Sequence, residues 1–84
     1  MSQVKDLVDY MVRPLVRHPE DLSINEVEGS SSLLVELRVH DDDLDAVRGA
    51  DREMIKSLQM IVAASGGARK IVLDLVEENA AGEE

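Results

Sequence analysis

The sequence predicts an α+β sandwich with the element order α-β-β-α-α-β: a three-stranded mixed sheet with three helices packed on one face. Three observations carry that expectation. Apolar residues recur at helical spacing near the N-terminus, a strict alternation runs through residues 32–40, and two helical segments joined at a glycine separate that strand from a final one. Strands separated by a helical pair are expected to lie parallel, because the chain must cross over before it rejoins the sheet. Helices on one face then cover the apolar side of the sheet.

The first helix is expected over residues 3–17. Val4, Leu7, Val8, Met11, Val12, Leu15 and Val16 fall on one face, Ser2 is placed to cap, and Arg13 and Arg17 suit the negative end of the dipole. Pro14 lacks a backbone donor, so it should kink or tighten the last turn, and His18-Pro19 ends the helix. Residues 22–28 alternate poorly and read as an edge strand with its acidic side chains facing out. Gly29-Ser30-Ser31 is a turn. In the next strand, over 32–40, Leu33, Val35, Leu37 and Val39 face in, while Leu34, Glu36, Arg38 and His40 face out. A hairpin joins the two.

Asp41-Asp42-Asp43-Leu44-Asp45 begins a short helix, with carboxylates at its positive end and Leu44 and Val47 on its buried side. The three aspartates lack the spacing and distal Glu of a calcium loop, so capping and solvation are the expected roles. After Gly49 a longer helix is expected over 52–65, with Met54, Ile55, Leu58, Ile61, Val62 and Ser65 on its apolar side and Gly66-Gly67 as its stop. The last strand, over 69–76, alternates Ile71, Leu73 and Leu75 against Val72, Asp74 and Val76. Residues 1–76 thus form one domain, and 77–84 an acidic tail expected to be disordered.

Composition narrows the function classes. Tyr10 is the single aromatic residue in 84, which leaves an aliphatic core and removes base stacking on aromatic rings. The formal charge is −9; without the four glutamates of the tail, 14 acids and 9 bases leave −5, so a generic polyanion surface is disfavoured. There is no cysteine, no apolar run near the ~20 residues of a membrane span, and no signal-peptide pattern, which together suggest a cytoplasmic chain. No serine sits in an activating arrangement with His and Asp, His18 reads as a helix-terminal cap and His40 as an exposed strand end. Metal ligands at set spacing are absent from the sequence. No catalytic residue, cofactor or metal is therefore expected.

The stretch that carries function is Val47-Arg48-Gly49-Ala50-Asp51-Arg52-Glu53-Met54-Ile55-Lys56, a glycine turn opening a helix, where backbone N–H groups can meet a phosphate. Arg48, Arg52 and Lys56 cluster there. Asp51 sets a carboxylate in the phosphate's place and is placed to cap the helix, with Glu53 in its first turn. Arg38, Arg69 and Lys70 are further basic residues for an edge of the same surface.

The element order with a glycine turn between two helices resembles the type II KH domain. Leu7-Val8-Asp9-Tyr10-Met11-Val12-Arg13-Pro14-Leu15-Val16-Arg17-His18-Pro19-Glu20-Asp21, Val35-Glu36-Leu37-Arg38-Val39, the helix from Met54 to Ser65, and Lys70-Ile71-Val72-Leu73 resemble the small bacterial single-KH proteins of the KhpA (YlqC) family, over about residues 3–76. The resemblance implies a G-x-x-G loop that clamps single-stranded RNA, with a groove for about four nucleotides. Here that loop is Gly49-Ala50-Asp51-Arg52: the first glycine is kept, the second is replaced by Arg52, and neither intervening residue is basic. The resemblance further implies a non-catalytic RNA chaperone or regulator linked to cell shape and the envelope, acting as a homodimer or with a KhpB-like partner. The candidate RNA-binding residues are Arg48, Gly49, Ala50, Asp51, Arg52 and Lys56. The alternative is a degenerate KH domain that has lost RNA binding and serves as a protein-interaction module.

Overall fold

The structure, a computed structural model, describes residues 3–77. Helix α1 (Gln3–Val12) buries Val8 and Val12 fully, with Val4, Met11, Leu15 and Val16 packed beside them. Regular helix stops before the apolar stripe does. Pro14 has no N–H to donate, and Arg13–Leu15 tighten into a 3-10 turn that still delivers Leu15 and Val16 to the core. Ser2, the expected cap, and the tail from residue 78 lie outside the described residues.

Strands β1 (Ser23–Glu28) and β2 (Ser32–Arg38) form the expected antiparallel hairpin, closed where the Gly29 N–H donates to the Ser32 carbonyl at 2.8 Å. Helices α2 (Leu44–Arg48) and α3 (Glu53–Ala64) follow, and β3 (Lys70–Leu75) returns parallel to β2, with Ser32 opposite Lys70 and Leu37 opposite Leu75. The sheet order is β1-β2-β3, so the hairpin's second strand is central.

Alternation then decides what is inside. Leu33, Val35 and Leu37 of β2 and Ile71, Leu73 and Leu75 of β3 meet Val8, Val12, Val47, Ile55, Leu58 and Val62 of the helices in one aliphatic core. The opposite sheet face carries exposed Val27 and Val72, half-buried Leu34, and a hydrogen bond from Asn25 Nδ2 to Glu36 Oε1. The amide of Gln59 donates to the Leu73 carbonyl at 3.1 Å and ties α3 to β3.

Two side-chain expectations change. Period two puts Glu26 on the same side of β1 as Ile24, opposite Val35, so this glutamate turns inward and its Oε2 is buried without a hydrogen-bond partner. On α3 only Ile55, Leu58 and Val62 are buried; Met54 and Ile61, expected on the apolar side, stand 38% and 48% exposed. One sheet cannot cover so wide an apolar arc. Among the described residues no helix is long and apolar enough to cross a membrane.

Candidate nucleic-acid interface

The loop between α2 and α3 is built on Gly49. Its N–H caps α2 by donating to the Asp45 carbonyl at 2.9 Å, and its backbone sits at φ 77°, ψ 168°, a conformation essentially reserved for glycine. Space is equally restrictive: a β-carbon here would lie 2.6 Å from Met54 Cβ and 2.8 Å from Met54 N. Residues Ala50–Arg52 then form a 3-10 turn in which the Arg52 N–H donates to the Gly49 carbonyl at 3.1 Å.

Asp51 and Arg52 both have positive φ, 54° and 62°. Arg52 therefore adopts a left-handed backbone at the position where a G-x-x-G loop has its second glycine. The loop keeps a glycine-type path without the glycine, at a cost of roughly 1–2 kcal/mol for a residue of this kind. The same geometry overturns the expected cap. A capping side chain reaches back to the helix N–H groups from a β-region backbone, whereas Asp51 and Arg52 are left-handed, and neither makes a side-chain cap to α3. The first N–H groups of α3 are not occupied by Asp51, although its charge remains exposed beside them.

Charge at the loop depends on Glu77, a residue expected in the acidic tail. Glu77 bridges both arginines: Arg48 Nη2 lies 3.1 Å from its Oε1 and Arg52 Nη1 lies 3.2 Å from its Oε2. Arg48 Nη1 also approaches Asp45 Oδ1 at 3.4 Å, while Arg48 Nε is buried without an acceptor. A carboxylate and a phosphate present similar paired oxygens to a guanidinium, so Glu77 sits as a phosphate would. Lys56 is exposed on α3 and makes no ion pair with another described residue.

Arg48, Gly49, Ala50, Asp51, Arg52 and Lys56 are thus gathered around one loop. Arg69 and Lys70 are not. They follow the far end of α3, whose 12 residues span about 18 Å, and Arg69 pairs with Glu28 at 3.0 Å.

Sequence comparison agrees with the fold. The family described as KhpA/KhpB, KH domain, matches residues 5–78. The chain belongs to this family. It is similar to the RNA-binding protein KhpA of Halalkalibacterium halodurans, 36% identical over 76 residues, covering 88% of this chain and all of the relative. The RNA-binding protein KhpA of Clostridium perfringens is 32% identical over 75 residues, covering 87% and 100%. That of Aquifex aeolicus is 30% identical over 79 residues, covering 92% and 100%.

At the other end of α2 this member of the KhpA/KhpB family carries a second polar cluster. Asp43, expected to cap or to face solvent, is 1% exposed and accepts the backbone N–H of Arg17 at 2.8 Å and of His18 at 3.0 Å. Those N–H groups are freed where Pro14 and Pro19 interrupt helical bonding, and Asp43 satisfies them across the fold. Burial is the largest influence on its carboxyl and pushes it up; the two N–H donors and the charges of His18 and Arg17 outweigh it and hold it below the usual carboxylate value.

The roles of the two histidines also change. His18 makes no side-chain cap, whereas His40 Nδ1 accepts the Asp42 N–H at 3.0 Å and caps the 3-10 turn Asp41–Asp43. The two rings stack with centroids 4.0 Å apart and planes at 24°. His18, His40 and Asp42 come together in space, although the sequence shows no metal-ligand spacing. His40 and Asp42 are near neighbours, but His18 lies 22 residues before His40, so no local motif announces the three together.

Proposed function

We propose that the chain is a non-catalytic, cytoplasmic RNA-binding protein that holds single-stranded RNA at the loop of residues 49–52, with Arg48, Arg52 and Lys56 facing the phosphates. The observation that carries this reading is the backbone of the loop. Gly49 packs against Met54, and Arg52 takes positive φ where a second glycine would stand, which supports a loop with the backbone path a clamp requires. The names of its KhpA relatives as RNA-binding proteins point the same way. Binding is expected to be weak, because a nucleic acid must compete with Glu77 for both arginines. A role as RNA chaperone or regulator linked to cell shape, and assembly as a homodimer or with a KhpB-like partner, extend the same proposal.

Titration of labelled single-stranded RNA at low salt tests it. Arg52→Glu and Lys56→Glu are each expected to weaken binding several-fold, with a shallow salt dependence because few phosphates are neutralised. Absence of any binding by the wild type at low salt overturns it.

A second reading, a KH domain that now serves only as a protein-interaction module, is favoured by one observation: Glu77 already fills the cationic site. The variant Asp51→Lys with Arg52→Gly separates the two. A large gain from an undetectable baseline supports the module, and an unchanged, measurable affinity supports RNA binding. Light scattering at several concentrations reports the dimer.

A further inference from the structure

We propose that His18, His40 and Asp42 form a binding site for one zinc ion, bridging the α1–β1 connection and the β2–α2 connection. One ligand atom from each residue lies within 4.8 Å of the other two. Asp42 Oδ2 stands 3.4 Å from His18 Nε2 and 3.7 Å from His40 Nδ1. Zinc bonds of 2.0–2.1 Å in a tetrahedron put neighbouring ligand atoms roughly 3.3 Å apart, so both pairs need only a small closure. Two imidazoles and a carboxylate are a donor set suited to zinc rather than to magnesium or calcium.

His40 Nδ1 accepts the Asp42 N–H at 3.0 Å, so its one lone pair must turn from that bond to reach an ion beside Asp42 Oδ2, 3.7 Å away. The Asp42 N–H that loses its acceptor is at the surface and can turn to water.

The outer nitrogens have carboxylates nearby, beyond hydrogen-bond distance: His18 Nδ1 lies 3.6 Å from Glu20 Oε2, and His40 Nε2 lies 4.0 Å from Asp21 Oδ2. A carboxylate that closes onto the outer nitrogen as the ring turns to an ion orients the imidazole and raises its basicity toward the metal. The rings are about one-third exposed and must splay from their stack to share an ion, leaving a coordination position open to water. Among the described residues no hydrogen bond or ion pair joins these three side chains to residues 49–52, so the site is tested apart from RNA binding.

The test is calorimetric titration of zinc into the untagged, chelator-treated full chain, with long-range 1H–15N spectra of the imidazoles. One equivalent is expected to bind, with the His18 and His40 resonances shifting together and saturating at that point. His18→Ala or His40→Ala should weaken binding more than about tenfold, Glu20→Gln by about tenfold through loss of ring positioning, and Asp74→Asn on the opposite sheet face should leave it unchanged. Absence of saturable binding below millimolar zinc overturns the proposal, as does equal binding by the histidine variants. If those variants fail to fold, the wild-type spectra decide: zinc that leaves both imidazoles unmoved refutes the site.

Discussion

Replacing Glu77 by Gln isolates the electrostatic brake on the loop. In the wild type one carboxylate holds Arg48 at 3.1 Å and Arg52 at 3.2 Å, and a phosphate that uses either guanidinium must displace it. Partly exposed ion pairs of this kind are worth about 0.2–1 kcal/mol each, so clearing both costs roughly 0.4–2 kcal/mol. At 1.4 kcal/mol per decade, Glu77→Gln should raise RNA affinity about 2- to 30-fold. The lower part of that range is favoured, because the Gln oxygen still accepts a weaker hydrogen bond. Freed arginines also change the salt response: each added phosphate contact on a single strand steepens the logarithmic slope by about 0.7. The assay is fluorescence anisotropy with a short labelled RNA at several salt concentrations, with circular dichroism to confirm that the variant is folded. Equal or weaker affinity with an unchanged slope refutes the reasoning, because the arginines would then contribute nothing to binding that Glu77 withholds.

Other expectations follow from the same geometry. Gly49→Ala forces a β-carbon into a glycine-only backbone against Met54; it should cost at least about 1–3 kcal/mol in a urea titration, and an unchanged midpoint would show that the loop does not need the glycine. Arg52→Gly relieves a left-handed arginine but loses the Glu77 pair and adds chain entropy to the unfolded state. Those terms nearly cancel, so stability should change by no more than about 1 kcal/mol while RNA binding changes, a combination read from urea and anisotropy together. Asp43→Asn keeps one acceptor oxygen where two N–H groups converge and should lower the melting temperature at neutral pH. Because the folded-state carboxyl titrates below its ordinary value, its stabilisation is present above about pH 4 and lost as pH falls through the lowered pKa. The gap between wild type and Asp43→Asn, measured with chelator present, should therefore narrow in acid; a constant gap would contradict the assignment.

The fold was legible because its signals are local. The alternation Leu33, Val35, Leu37 and the stripe Val8, Val12 each need only the period of their own element, and the helical pair dictated a parallel return of β3. The weakest alternation is in β1, and there Glu26 faces inward against expectation. The site was half legible. Gly49 and the basic residues around it are neighbours in sequence, but Glu77 reaches Arg52 from 25 residues away, and Asp43 reaches Arg17 from 26. Partners at that range leave no periodic trace. Asp51 failed for a different reason: Asp before a helix ordinarily caps, but here the turn inherited a left-handed path that removes the capping geometry.

That path separates two properties which a sequence motif merges. The path of this loop is imposed by Gly49 against Met54 and by the 3-10 turn closing on the Gly49 carbonyl, and it accommodates an arginine with positive φ at the second glycine position. Its electrostatics are a separate matter, governed by side chains from α2, from the loop and from Glu77, two residues beyond β3. Replacing a glycine by Arg52 sacrifices close backbone approach but brings a guanidinium to the same point, and Glu77 then determines how much of that charge an incoming phosphate meets. On the proposed reading, a change confined to residues 49–52 would therefore tune RNA binding only in part. Glu77 would be the stronger control, because one carboxylate just beyond β3 pairs with both arginines at once.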